Sequence, residues 1–174
     1  MMAVQWQQVR WGMVLCVVTV LYSFVLGAAM GGQEALFKDH FKQTVQINAI
    51  QVFGDDNAKM DRAKERAWTY TKRSHMHAAG VGIIGLALML MIPLVTSSRL
   101  FQHGLSLAYG LGSLAYPLTW LIAGFRVPTM GTTSAAKASI EWLAMPSVFL
   151  LVASTTVILI LLLRWGLSKE KPYS

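Results

Sequence analysis

The chain has 174 residues, of which 55% are hydrophobic and 13% are charged. This composition is typical of a membrane protein rather than of a water-soluble domain, and the single cysteine, Cys16, excludes an intrachain disulfide. The formal net charge of +7 at pH 7 comes without a nucleic-acid-binding motif, so it favours anionic lipid headgroups over nucleic acid as a partner.

Four apolar stretches of about 20 residues occupy most of the chain: residues 11–30, 77–95, 104–125 and 142–163. Charged residues are absent from all four, and at about 1.5 Å per residue each can cross a hydrocarbon core of about 30 Å. The short connections 96–103 and 126–141 favour adjacent antiparallel helices. The sequence therefore predicts a single all-α membrane domain over residues 1–174, with four transmembrane helices in an up-down bundle.

The first stretch also has features of a signal peptide. It ends in small residues between positions 27 and 31, which is typical of a cleavage site. However, its length of about 20 apolar residues exceeds the 7–15 that are usual for a signal peptide. An uncleaved signal-anchor helix is therefore the favoured interpretation.

The long first loop, residues 31–76, is expected to be extramembrane and helical. Phe37, Phe41 and Val45 are four residues apart, which places them on one face of a helix. This spacing predicts an amphipathic helix that lies on the membrane surface or caps the bundle. Residues 54–57 read as a turn, and one long helix is predicted from about residue 58 to residue 95.

Small residues recur at helical spacing in the second and third stretches. Gly82 and Gly85 follow Ala78 in one, and Gly112 lies between Ala108 and Ala115 in the other. Such residues let helix backbones approach closely in a bilayer. Tight helix packing is the expected consequence, and room for a flat macrocycle is the alternative.

The most informative polar residues are His75 and His77, at the loop-side mouth of the second stretch. Here the loop side is the membrane face that carries residues 31–76, and the terminus side is the opposite face. Neutral imidazole binds haem iron, copper and zinc. Residues two apart on a helix point about 200° apart, so the two histidines cannot reach one ion. We expect His77 to face the bundle and His75 to face lipid headgroups or the loop, the alternative being an interfacial histidine bonded to loop backbone.

This His-x-His segment leads into a glycine-rich apolar helix through Gly80, Gly82 and Gly85. The pattern resembles the metal-binding helices of small membrane proteins similar to the haem–copper oxidase catalytic subunit. It covers about twenty residues, and the remaining histidines of an oxidase are missing. The resemblance therefore implies at most one haem or metal ligand, His77, and argues against oxygen reduction.

A second ligand for a haem or metal would have to come from the loop side. The candidates are His40, Met76 and Met130, whereas His103 lies a membrane thickness away, about 30 Å. A pair of histidines facing each other across the bundle is thus not expected.

Glu141 is the acid nearest to a span interior, at the start of the fourth stretch. An acid in the first turns of a helix suits the helix dipole. The alternative is a proton or quinone-headgroup contact near His77, in a cluster with Arg126 and Tyr70.

These observations favour a small integral membrane subunit of a respiratory or electron-transfer complex. It would mainly anchor or assemble other subunits, and would hold one haem b or quinone at the loop-side face. The alternatives are a stand-alone b-type cytochrome or quinol-linked electron carrier, and a membrane protein that handles a metal such as copper. Nucleotide-binding glycine loops, HExxH and CxxC are missing, so catalytic activity of its own is not expected.

The predicted location is a bacterial inner membrane. A signal-anchor first helix favours both termini in the cytoplasm. Ten of the fifteen Lys and Arg residues fall on the loop side, and this raw count favours the opposite orientation. The loop side also has more than twice the polar length, so the two basic densities are nearly equal.

Overall fold

The computed structural model describes residues 6–169, and within that range it is helical apart from short turns, without strands. In chain order the helices are α1 (Trp6–Gly32), α2 (Glu34–Ile47), α3 (Ala49–Phe53), α4 (Asn57–Val95), α5 (Arg99–Met130), α6 (Thr133–Ala138) and α7 (Glu141–Lys169).

Four of these helices, α1, α4, α5 and α7, are long and apolar enough to cross a membrane. Each contains one of the four apolar stretches, and α4 begins one residue before the long helix predicted from about residue 58. The prediction of an all-helical protein with four candidate membrane spans is confirmed for the part of the chain described.

Helix α5 lies at the centre of the packing, in contact with α1, α4 and α7. Helix α1 runs antiparallel to α4, since Ser23 contacts His75 near one end and Cys16 lies beside Gly85 farther along. The same α1 runs parallel to α5, because Gly12 lies against Ser106 while Thr19 lies beside Ser113.

Glycines mark the closest approaches between these helices. A Cβ atom at Gly12 would lie 2.5 Å from the carbonyl oxygen of Ser106, and one at Gly85 would lie 2.5 Å from the Cys16 sulfur. At Gly12 only a residue without a side chain lets the two backbones come this close, and at Gly85 the missing side chain leaves room for Cys16 and Tyr109. At Gly82 and Gly85 tight packing is therefore what the small residues achieve in this structure.

Helix α2 packs on the loop-side ends of α4 and α5. Phe41 and Val45 are each 1% exposed, and the Phe41 ring meets that of Phe125 edge to face with the centroids 5.2 Å apart. Phe37 is half-buried beside Trp68. Of the three residues that the spacing placed on one face, Phe41 and Val45 are thus buried against protein and Phe37 is half-buried.

The turn before α4 is built by Gly54 and Asp55, both with a left-handed backbone at φ 61° and 59°. Asp56 then caps α4, because its carboxylate accepts a hydrogen bond from the backbone N–H of Lys59 at 3.0 Å. That hydrogen bond holds the pKa of the Asp56 carboxyl below its usual range. The start of α4, the longest helix, is therefore determined by this turn and by the Asp56 cap.

Candidate functional site

His75 is held against α1 rather than directed at headgroups or the loop. Its Nδ1 lies 2.9 Å from the carbonyl oxygen of Ser23, and the Ser23 hydroxyl donates to the His75 carbonyl oxygen at 3.0 Å. Because a carbonyl oxygen can only accept, Nδ1 is the donor to the Ser23 carbonyl. A Cβ atom at Gly27 would lie 2.7 Å from the imidazole. The expectation that His75 faces headgroups or the loop was wrong, because α1 packs on that face of α4.

His77 lies against α5. Its ring stacks on Trp120 with the centroids 5.6 Å apart at an interplanar angle of 25°, and its centroid is 5.1 Å from that of Tyr116. The side chain is half-buried. The two histidines therefore serve two different helix contacts, α4 with α1 and α4 with α5.

The other proposed ligands on the loop side, His40, Met76 and Met130, are exposed. His40 is exposed and makes ring contacts with Phe41 and Phe125, and Met130 is exposed at the end of α5. His103 on the terminus side has Nδ1 3.3 Å from the Gln8 carbonyl oxygen. Among residues 6–169 no group of three His, Cys, Asp or Glu side chains is placed to hold a metal ion.

A chain of hydroxyl groups joins three helices near the histidines. Ser74 donates to the Pro117 carbonyl oxygen at 2.7 Å, and the Tyr22 hydroxyl lies 2.6 Å from the Ser74 oxygen. Since the Ser74 proton is already donated, Tyr22 must be the donor to Ser74. These two hydrogen bonds join α1 to α4 and α4 to α5, among otherwise apolar side chains.

A cleft of about 510 Å³ opens on the loop side between α5, α6 and α7. Its rim carries Trp120, Lys137 and Glu141, and its apolar wall continues along α7 through Ala144 and Val148. A ligand with a polar head and an apolar tail would match this cleft, with its head at the polar rim and its tail along the apolar wall.

Two cations contact an aromatic pair, Tyr70 and Trp120, at this end of the cleft. Tyr70 and Trp120 meet edge to face at 5.2 Å. The Arg73 guanidinium lies 5.5 and 5.2 Å from their centroids, and the Lys137 ammonium lies 5.6 and 5.4 Å from them. We call Tyr70, Arg73, Trp120 and Lys137 the cationic rim. Such contacts stabilise a cation over an aromatic face but leave its charge uncompensated.

Carboxylates do not neutralise the rim. The ion pairs in the described part of the chain are Lys38–Glu34, Lys59–Asp56 and Lys64–Asp61, which all lie elsewhere. Glu141 is exposed and lies beyond salt-bridge distance of both rim cations. Arg126 donates instead to the carbonyl and hydroxyl oxygens of Ser139 at 2.9 and 2.8 Å.

One buried donor in the wall also stands without a partner. The Trp120 indole Nε1 is buried and has no acceptor among the residues that the structure describes. A buried N–H without an acceptor carries a free-energy penalty of about 1–3 kcal/mol, which an acceptor from water or a ligand removes.

Sequence reasoning grouped His77, Glu141, Arg126 and Tyr70, but it missed Arg73 and Lys137. The contacts of Trp120 with both cations could not be predicted, because they depend on how α4, α5 and α6 meet. The sequence did contain a signal for each of them. Arg73 is a basic residue one turn before an apolar span, and Lys137 is a lysine in a short connection.

The chain matches no family model, no curated protein and no solved structure. A functional proposal therefore depends on the geometry described above.

Proposed function

We propose that this protein is a small accessory subunit of a respiratory or electron-transfer complex in the membrane, and that it anchors or assembles partner subunits. The observation that carries the proposal is the lightly packed α7. Only 17% of its apolar segment is buried within the chain, against 28% for α1 and α4 and 44% for α5. An apolar helix on the outside of a small bundle is suited to pack against further membrane helices.

The extramembrane layer supports the same proposal. Beside its buried face, the α2–α3 segment exposes Leu36, Ile47 and Ile50 on the loop side. Apolar side chains exposed outside the spans are typical of surfaces that meet a partner or the headgroup region. The proposal therefore includes an up-down bundle, capped on the loop side by α2 as an amphipathic helix. It also places the chain in a bacterial inner membrane with both termini in the cytoplasm.

A second candidate function is a quinol-linked electron carrier. It is supported by the aromatic wall of Trp120 and Tyr116 beside the loop-side cleft, because a flat ring headgroup stacks well on such side chains. Haem b held by two histidines fits the geometry less well. His77 lies against α5, His75 is bonded to α1, and His40 and His103 lie at other places.

Purification from native membranes in a mild detergent tests the proposal, with an inventory of co-purifying proteins and an optical spectrum. We expect co-purification of other membrane subunits, and recovery of the chain alone would contradict the subunit proposal. A Soret band or extractable quinone in such isolated chain would support the electron carrier instead.

A matched pair of variants sharpens this test. Phe149 on α7 and Phe24 on α1 point outward with similar exposures of 70% and 64%. We expect Phe149→Asn to reduce co-purification and Phe24→Asn to preserve it. Equal effects would show that α7 is not the partner face.

A further inference from the structure

We propose that the loop-side cleft binds one molecule of an anionic phospholipid, with the headgroup phosphate at the cationic rim and an acyl chain along α7. This inference goes beyond the proposed function, because it concerns a lipid ligand whether or not a partner subunit is present.

The charge of the rim selects an anion. Arg73 and Lys137 come from α4 and α6, yet both contact the Tyr70–Trp120 pair, and neither has a carboxylate within salt-bridge distance in residues 6–169. Lys137 lines the cleft, and Arg73 contacts the same Trp120 ring that lines it. A phosphate at this end of the cleft would compensate cationic charge that no carboxylate in the described helices pairs with. A neutral quinone headgroup supplies no such compensation.

The level of the rim matches that of a lipid headgroup. Arg73 is one turn before the apolar stretch of α4, and Lys137 is one turn before Glu141 and the start of α7. From there the cleft wall turns apolar along α7, past Ala144, Met145 and Val148. A phospholipid presents the same sequence of groups along its length, first phosphate and then hydrocarbon.

A second groove of the chain shows what the cations add. It has the same volume of about 510 Å³ between α5 and α7 on the terminus side, and Ser98 and Ser154 are its polar lining residues. That groove can accept an acyl chain but offers no charge for a phosphate. Of these two cavities, the loop-side cleft is the one that combines charged residues at its mouth with an apolar floor.

Glu141 narrows the choice of headgroup. Its carboxylate lines the cleft beside Lys137 and would repel a second anionic group, but it can accept a hydrogen bond from a hydroxyl. Phosphatidylglycerol supplies one negative phosphate together with glycerol hydroxyls. We therefore take phosphatidylglycerol as the probe.

The test is lipid binding by native mass spectrometry on delipidated full-length protein, with phosphatidylglycerol compared with phosphatidylcholine of the same acyl chains. We expect preferential retention of one phosphatidylglycerol. In Arg73→Gln/Lys137→Gln its affinity should fall by about tenfold or more. The control Arg62→Gln/Arg66→Gln removes the same charge from exposed positions of α4 and should retain the preference.

Four results would overturn the inference: no preference for phosphatidylglycerol in the unmodified protein, an equal loss in both double variants, equal binding of inorganic phosphate, or displacement of the lipid by a short-chain quinone. Glu141→Gln provides an independent test. It should leave phosphatidylglycerol binding unchanged or stronger, because the amide still accepts a hydrogen bond and no longer repels the phosphate, whereas a loss of binding would contradict the inference.

Discussion

Single polar side chains in this protein join helices. Ser74 is the central residue, since it accepts from Tyr22 of α1 and donates to the Pro117 carbonyl oxygen of α5. Hydrogen bonds between membrane helices average about 0.6 kcal/mol and reach about 1.7. Because its fully buried hydroxyl makes two hydrogen bonds, substitution of Ser74 should lower the stability of the protein.

We predict that Ser74→Ala lowers the free energy of unfolding by about 1 kcal/mol. The variant leaves the Tyr22 hydroxyl without its acceptor and the Pro117 carbonyl without this donor. Reversible unfolding in mixed detergent micelles, followed by tryptophan fluorescence, measures the change.

A double-mutant cycle provides the control. Tyr22→Phe removes the same bond from the other side, so the two changes together should cost less than the sum of their separate effects. Strict additivity would mean that the Tyr22–Ser74 bond contributes nothing to stability.

The histidines show what sequence can predict at this scale. The 200° separation of His75 and His77 follows from helix geometry alone, and in the structure they contact different helices. Which neighbour each one meets depends on the rotation of α1 and α5 about α4. That rotation depends on contacts such as Gly27 against His75, between residues distant in the chain. The His75 prediction failed for this reason.

At the scale of the helix, glycine positions decide how closely pairs approach. The spacing of Gly82 and Gly85 was recognisable because they form a repeat within one apolar stretch. Gly12 lies near the start of α1 and belongs to no such repeat. Its role follows only from its contact with Ser106 of α5. Repeats can thus be found from sequence, whereas isolated contact points need the partner helix.

We predict that Gly12→Ala destabilises the protein by about 1–3 kcal/mol. The added Cβ would lie 2.5 Å from the Ser106 backbone oxygen, and backbone cannot move aside as a flexible side chain does. Thermal unfolding in mild detergent measures the effect.

Gly80→Ala is the matched control, because a Cβ atom at Gly80 meets nothing within 4 Å. Alanine is the better helix former by about 1 kcal/mol, so this variant should be neutral or slightly stabilising. A loss of stability at Gly80 as large as at Gly12 would refute the close-approach explanation.

Helix α2 permits a test between the two arrangements that its pattern allowed, a cap on the bundle or a helix on the membrane surface. Phe41 is 1% exposed against Phe125, while Leu36 on the same helix is 64% exposed. We predict that Phe41→Asp accelerates proteolysis between residues 31 and 57 and that Leu36→Asp does so much less. Comparable acceleration by Leu36→Asp in membranes would favour the surface arrangement.

For the whole molecule, the number and type of spans could be predicted because length and apolarity are local properties of the sequence. The loop-side cleft could not, since Trp120, Lys137 and Glu141 come from three helices whose arrangement depends on packing. The charge of Arg73 was visible in the sequence, but its proximity to Lys137 at one aromatic pair required the fold.

The packing directions lead to a prediction about topology. Helices α1 and α5 run parallel, and α4 runs opposite to both, since Ser74 contacts Pro117 while Tyr109 reaches back to Val81 farther along α4. With α7 as a fourth crossing, the two termini should lie on the same face. We predict equal labelling by a membrane-impermeant maleimide at Gln7→Cys and Ser168→Cys, and the opposite accessibility at Asp55→Cys on the loop side. The labelling is done in a Cys16→Ala background, although native Cys16 is buried.

Reaction of the two terminal sites only in inside-out vesicles would place them in the cytoplasm, as the signal-anchor argument expects. Reaction only in intact cells would favour the lysine and arginine count, and opposite accessibility of Gln7→Cys and Ser168→Cys would exclude a four-span topology.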